Sequence, residues 1–284
     1  MAAGLERMSS FEALLSDLSV IVARNHPHLS ELYTTYAREA LFGRAWLDES
    51  LRKLSSGSVI LEIGAGSMLL SCQLCREGFE VTALEPVGQG FSIFSELQTL
   101  VLDYMRERGA VPTLLPVAVE RLEADKKYDF AYSINVMEHV GDVPEAILRV
   151  VSTLAQGGEY RFTCPNYWFP YEPHFNIPTL FSKAMTERVF HDRVFKNQRM
   201  SDPVGVWNSL NWISVAQIRR AVRRLPGIAL HFKRTVLRDT LLRLVSDEEF
   251  SARRSKWMRH VGDWLVRSGI YRLAVLVPVS AQPV

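Results

Sequence analysis

The 284-residue chain predicts an α/β fold built on a largely parallel sheet, and three features carry that reading. An apolar run, Val59-Ile60-Leu61, passes through Glu62 into a glycine turn, Gly64-Ala65-Gly66. A helix-compatible segment follows, and a second apolar run, Val81-Thr82-Ala83-Leu84, ends in Glu85. A later apolar strand, Tyr128 to Ile134, releases into a polar loop at Asn135. Strand, glycine loop, helix, strand and acid form half of a nucleotide-binding βαβ unit. Glycine accepts positive φ and has no Cβ, so the backbone turns sharply and passes close to a ligand. A carboxylate closing the second strand can accept from both hydroxyls of a ribose. A nucleoside-containing cofactor is the expectation.

Details of the loop select among such cofactors. A dinucleotide fingerprint places Gly or Ala where this chain has Leu69. Glu62, two residues before the first glycine, would repel a pyrophosphate. A cationic ligand with an amino group is favoured by the same charge. S-adenosylmethionine carries a sulfonium, an α-amino group and a ribose, and no phosphate. Glu62-Ile63-Gly64-Ala65-Gly66, with an acid about twenty residues later, resembles the class I S-adenosylmethionine-dependent methyltransferases. That family often has a third glycine where this chain has Met68. The resemblance implies a Rossmann-like, mostly parallel seven-stranded sheet with helices on both faces and an antiparallel last strand. It also implies roles: Gly64, Ala65 and Gly66 shape the loop, Glu62 faces the amino-acid end of the cofactor, and Glu85 holds the ribose.

Tyr128-Asp129-Phe130 through Ser133 to Val136-Met137-Glu138-His139-Val140 is a second match. It resembles the F-D-x-x-x-S-x-x-V-L-E-H-V stretch of methyltransferases acting on small molecules, those of ubiquinone biosynthesis included. Ligands of open α/β folds bind where such strands end, so Asn135 and Val136 are expected beside the cofactor. Glu138-His139 are expected to start a helix that runs to Gly157-Gly158, with a fifth strand at 159–163. The third strand and its exit span Thr113 to Leu122. Ala118 and Val119 fill the acid and small-residue slots of that exit, so the acceptor for the adenine amino group is either missing or supplied by Glu120. Toward the end, Val215 to Leu225 reads as a helix, Ile228 to Phe232 as a strand, and Leu273 to Val277 as its partner. The resemblance covers residues 55–163 well, and 212–232 and 272–279 loosely.

Helix-spaced apolar positions (Phe11, Leu14, Leu15, Leu18, then Leu32, Tyr36, Ala40, Leu47, Leu51) place two helices in residues 1–54. In resembling enzymes such helices cover the cofactor, which makes Tyr33, Tyr36 and Arg44 lid candidates beside ordinary packing roles. The methyltransferase domain proper is expected over 55–284, with insertions at about 164–211 and 235–270. The first insertion is dense in aromatics and prolines. Asn166, Tyr167, Tyr171 and Glu172 are its candidate acceptor-binding residues, and the alternative is a stiff loop packing its rings on the core. Methyl transfer to a hydroxyl needs alignment and removal of one proton. Histidine is the usual base near neutral pH, so His174, oriented by Glu172 or Tyr171, is the first candidate and His139 the second.

Composition bounds the rest. With 48% apolar and 23% charged residues the chain has a globular, not a disordered or collagen-like, composition. No apolar run is long enough to span a bilayer, and the charged N-terminus argues against a signal peptide. Three cysteines cannot all pair, which suits a reducing compartment. Cys72 and Cys75 have C-x-x-C spacing without a second pair and lie on an expected helix, so no metal is expected. Residues 1–189 carry 16 basic against 24 acidic side chains, and residues 190–284 carry 17 against 7. A basic C-terminal part suits an anionic partner or pairs with the acidic part. The expected function is methylation, most plausibly of an oxygen on a small-molecule or lipid- or saccharide-linked acceptor. The expected location is the cytoplasm, with peripheral contact at the inner face of an anionic membrane. Two alternatives stand beside it. A nucleic-acid methyltransferase would use the basic region, although Asn135-Val136-Met137-Glu138 replaces the N/D-P-P-Y/F sequence of the amino-methylating members. A non-catalytic membrane-surface protein would use the amphipathic stretch around Trp257 and Trp264.

Overall fold

A computed structural model describes residues 2–86, 95–169, 171–198, 200, 202–223, 225, 227–232, 239, 241–243, 256–269 and 278–283. The chain divides into two compact units, Met1–Ile134 with Ser152–Gly158, and Asn135–Val151 with Glu159–Val284.

The first unit opens with α1 (Ala2–Asn25) and α2 (Ser30–Leu51), followed by β1 (Val59–Ile63), α3 (Leu69–Arg76) and β2 (Glu80–Leu84). It continues with α4 (Ser95–Arg106), β3 (Thr113–Leu115) and β4 (Tyr128–Ile134). Its strands run parallel in the order β3-β2-β1-β4. A parallel strand covered on both faces reads as a continuous apolar run, and β1 is buried from Ile60 onward. Register places Glu62 opposite both Ala83 and Tyr132. Every α1 position expected to face inward (Phe11, Leu14, Leu15, Leu18) is buried, and these side chains share one core with Leu47, Leu51, Ile60, Val81 and Phe130. The N-terminal helices are therefore part of the sheet's own core.

Two of the lid candidates have structural partners. The Tyr33 hydroxyl donates to the Leu15 carbonyl at 2.5 Å. Arg44 is 1% exposed, and its Nε and Nη2 donate to the two oxygens of Glu77 at 2.7 and 2.8 Å. A bidentate pair of this kind fixes geometry as well as charge, and it ties α2 to the end of α3. A Cβ on Gly43 would stand 2.5 Å from Ile134 Cδ1, so the missing side chain lets α2 press against the end of β4. His26 Nδ1 and His28 Nε2 both meet Glu96 Oε1, at 3.2 and 2.9 Å, and this joins the α1–α2 turn to the start of α4. Cys72 and Cys75 are free thiols on α3, and burial pushes the Cys75 thiol up to about 11, an inert packing role.

The second unit contains α6 (Lys183–Phe195), α7 (Pro203–Ser209), α8 (Val215–Val222), β6 (Ile228–Phe232), α9 (Lys256–Ser268) and β7 (Pro278–Pro283). The elements α5 (Val143–Ser152) and β5 (Leu154–Thr163) each cross the boundary between the units. Ser182, Asp202 and Ser214 cap α6, α7 and α8 by accepting from backbone N–H groups three residues on. β7 pairs antiparallel with both β5 and β6, as the antiparallel last strand requires. That strand is Pro278–Pro283; Leu273 to Val277, expected to form it, lie outside the described residues, as does much of 235–270. Three boundaries differ from the sequence expectation. Glu138 and His139 sit on a 3-10 turn, and α5 begins only at Val143, where the Asp142 carboxylate accepts from Glu145 N at 3.0 Å. β5 starts at Leu154 and runs through both glycines, because Gly157 adopts φ 78° and a Cβ on Gly158 would crowd the Ala155 and Tyr128 carbonyls. β3 keeps three residues, which leaves Glu120 on the turn Val119–Arg121. Among the described residues no helix is long and apolar enough to cross a membrane.

Candidate active site

In the first unit the loop after β1 folds back on β2. The Gly64 and Ala65 N–H groups donate to the Leu84 carbonyl at 2.8 and 3.0 Å. Gly66 N–H donates to Glu85 Oε2 at 2.8 Å, and Gln98 Nε2 donates to the Gly66 carbonyl at 2.5 Å. Gly64 has φ 71° and Gly66 φ 49°, and open space lies where a Gly66 Cβ would stand. Met68 also adopts a left-handed conformation, φ 65°, one that glycine takes freely. For a side chain this costs about 1–2 kcal/mol, and full burial of Met68 in the core offsets it.

Two carboxylates flank this loop, Glu62 at 6% and Glu85 at 7% exposure. Burial pushes the Glu62 carboxyl up to about 8, and the charge of Glu85 adds to the rise, while the Ser71 and Tyr132 hydroxyls oppose it. Ser71 Oγ donates to Glu62 Oε2. Glu85 is also raised by burial, against the Gly66 N–H bond that favours its ionised form. Tyr36, the third lid candidate, is half-buried on α2, and its phenol is raised by burial and by the charges of Glu39 and Glu85. Of the lid candidates it alone lies within the field of the loop's acids. Glu120 is half-buried on its turn after β3.

In the second unit Asn135 takes φ 55°, a conformation Asn tolerates, and its N–H donates to the Thr163 carbonyl at 2.9 Å. Its side chain is exposed, and Val136 is half-buried. The following turn is held by Asn211, whose Nδ2 donates to the Met137 and Val140 carbonyls at 2.7 and 2.8 Å, while its N–H donates to the Glu138 carbonyl at 2.8 Å. Asn211 also lines a cavity of about 320 Å³ together with Asp142, Gln217 and Arg220. The turn presents a wholly buried Glu138 and a half-buried His139.

His139 and His174 meet edge to face with ring centres 5.3 Å apart. His174 Nδ1 lies 2.6 Å from Glu172 Oε1. Glu172 has no exposed surface and also accepts from His174 N at 3.0 Å, Phe175 N at 2.6 Å and the Tyr167 hydroxyl at 3.4 Å. His139 Nδ1 lies 2.7 Å from Ser209 Oγ, and that hydroxyl donates its own hydrogen to the Val206 carbonyl at 2.8 Å. Burial pushes His139 down to about 4, with the charge of His174 adding and Glu172 opposing, so His139 is neutral at physiological pH.

The structure thus gathers His139, His174, Glu172 and Tyr167, and assigns the orientation of His174 to Glu172. Tyr171 donates instead to Asn176 Oδ1, and Asn166 accepts from Trp168 N within its own loop. Part of the aromatic insertion is core: Tyr167 stacks on Trp212 at 4.3 Å, and Phe175 meets Trp207 edge to face. Sequence reading missed Ser71, Gln98, Ser209 and Asn211, because each acts through a contact across at least nine residues of chain with no motif around it.

A glycine loop between two buried acids, one of them raised to about 8 by its burial, suits a sulfonium amino acid carrying a ribose. The parallel sheet and that loop together define a class I S-adenosylmethionine-dependent methyltransferase. The chain belongs to the family described as "Methyltransferase domain", whose model matches residues 33–225. It is similar to "Uncharacterized protein Rv1509" of Mycobacterium tuberculosis (strain ATCC 25618 / H37Rv), 46% identical over 248 residues, 87% of this chain and 84% of that protein. It is also similar to a ubiquinone biosynthesis O-methyltransferase of Rickettsia akari (strain Hartford), 34% identical over 99 residues, which span 35% of this chain and 37% of the relative. Among solved structures, a putative sarcosine dimethylglycine methyltransferase from Galdieria sulphuraria is 15% identical, covering 87% of this chain and 85% of that one with a TM-score of 0.47.

Glu62 provides a test without any ligand. Its folded carboxyl titrates near 8 and its unfolded one near 4.5, so the folded state holds the proton more tightly between those values. Stability from this group is fully present below pH 4.5 and is lost as pH rises through 8. Thermal melts of the cofactor-free protein from pH 5 to 9 are expected to show Glu62→Gln gaining stability over wild type as pH rises. Parallel curves for the two proteins would contradict the assignment.

Proposed function

We propose that this enzyme methylates an oxygen of a small-molecule or lipid- or saccharide-linked acceptor. The observation that supports it best is the His174–Glu172 pair, an imidazole held at Nδ1 by a buried carboxylate 2.6 Å away. Bound S-adenosylmethionine supplies a methyl group already made electrophilic by the sulfonium. The protein's task is to hold the acceptor and take its proton. A carboxylate at Nδ1 fixes the tautomer that carries its lone pair on Nε2 and stabilises the imidazolium formed when that lone pair accepts a hydroxyl proton. Glu172 is itself fixed by Phe175 N, His174 N and Tyr167, so the imidazole does not swing. His139, kept neutral beside it, adds no competing charge.

On the cofactor side, Glu62 faces the amino group and loses its proton to solvent when that cation arrives. Glu85 offers the ribose its Oε1, since Oε2 holds Gly66. Gly64 and Ala65 keep the loop closed on β2, and Glu120 serves the adenine edge. The short match to a ubiquinone O-methyltransferase supports an oxygen acceptor over nitrogen or carbon. His174→Ala is expected to lower turnover by about 10²–10⁴-fold, the usual worth of a general base, while leaving S-adenosylmethionine affinity within twofold. Steady-state rates paired with calorimetric binding check this, and undiminished turnover overturns the role.

The same reading places the enzyme in the cytoplasm at an anionic membrane surface. Its three cysteines are free, and α9 exposes Trp264 (57%) and Val261 (38%), with Arg267 on the same helix paired to Asp263 at 2.8 Å. An exposed aromatic next to an exposed apolar side chain suits the headgroup boundary. Co-sedimentation with phosphatidylserine vesicles at low salt is expected to pellet the protein, less so for Trp264→Glu. A protein that stays in the supernatant has no such surface role.

A further inference from the structure

We infer that Glu138, His139 and His174 form a binding site for one divalent transition-series cation, with zinc, cobalt and manganese as the chemical class. The inference concerns the same acceptor pole as the proposed function, and it departs from the sequence expectation of a metal-free site. One ligand atom from each of the three residues lies within 4.8 Å of the other two. The hydrogen bonds behind the rings fix which nitrogen each imidazole offers. Ser209 Oγ spends its hydrogen on the Val206 carbonyl at 2.8 Å, so at 2.7 Å it accepts from His139 Nδ1–H. Glu172 accepts His174 Nδ1–H at 2.6 Å. Both rings therefore carry their lone pair on Nε2. Metal-ligating histidines are held in this manner, the second ring nitrogen donating to a carboxylate or another oxygen acceptor that sets tautomer and basicity.

The third donor is a carboxylate with no exposed surface, fixed by a backbone that Asn211 grips at three points. Two imidazoles and one carboxylate suit a transition-series ion and leave coordination positions open. Ligand atoms of a tetrahedral shell with bonds of about 2.0–2.1 Å stand about 3.3 Å apart. Closing from 4.8 Å therefore asks for about 1.5 Å of side-chain movement, within the reach of small rotations about the histidine and glutamate side-chain bonds. With the ion in place His174 is a ligand, and the acceptor's oxygen occupies an open position. Without it, His174 keeps its lone pair for a proton.

The test uses the full-length chain stripped with a chelator and titrated with Co²⁺. Absorption in the visible region and calorimetry report binding. The expected result is one equivalent bound with a visible d–d band, and affinity lowered at least tenfold in each of Glu138→Gln, His139→Gln and His174→Gln. Circular dichroism confirms that each variant is folded, and Ser209→Ala, which removes only the partner behind His139, is expected to weaken binding less. No saturable binding overturns the inference. So does binding that survives all three variants and falls in His28→Gln, which would trace it to the His26, His28 and Glu96 cluster. The proposed function fails separately. Methyl transfer by a protein that shows no saturable Co²⁺ binding removes the cation site and leaves the enzyme reading, whereas one-equivalent Co²⁺ binding without transfer to hydroxyl acceptors does the reverse.

Discussion

The burial of two carboxylates around one glycine loop is the constraint on which the first unit depends. Removing a carboxylate from water is costly unless it is protonated or paired. Glu85 is paired, through the Gly66 N–H, and that bond pulls the loop into its left-handed turn. Glu62 takes the other course, and burial beside Glu85 raises its carboxyl to about 8, so that it holds a proton at neutral pH. Both carboxylates are buried, and α1 and α2 join the same core as the sheet. Arg44, clamped on Glu77, and Gly43, pressed on Ile134, hold α2 in place.

The second unit solves a different problem with similar means. An imidazole can be given a fixed tautomer and a fixed direction, and for His139 and His174 both come from groups behind the ring. Glu172 is saturated by backbone N–H groups before it reaches His174. Ser209 is committed to a carbonyl before it reaches His139. At the Met137–His139 turn Asn211 satisfies the Met137, Glu138 and Val140 carbonyls from a segment more than 70 residues later. The residues that make the site rigid are therefore polar side chains with ordinary local surroundings.

Sequence made the cofactor loop legible because its geometry is local. Gly64, Gly66 and the acids ending β1 and β2 lie within one βαβ unit, so spacing alone defines them. The α1 and α2 core positions were legible for the same reason, since helical periodicity directly encodes the buried face. Met68 was read as a departure, and the structure shows a side chain held in the conformation that glycine would take freely. The helix expected at Glu138 begins at Val143 because Asp142 caps it and the backbone at 137–139 is held by Asn211 instead. That competition between a local cap and a distant brace leaves no trace in a window of neighbouring residues. The pairing of His174 with Glu172 was legible from a two-residue spacing. Its meeting with His139 was not, because it depends on how the segment after β5 returns to the turn after β4.

The central claim is that two buried acids and a glycine loop hold S-adenosylmethionine. Calorimetric titration of S-adenosylmethionine and S-adenosylhomocysteine into wild type and Glu85→Ala, with NAD as control, tests it most directly. Micromolar binding of both adenosyl ligands to wild type, lost in the variant and absent for NAD, is the predicted result. Binding of NAD instead, or adenosyl binding that ignores Glu85, would contradict it.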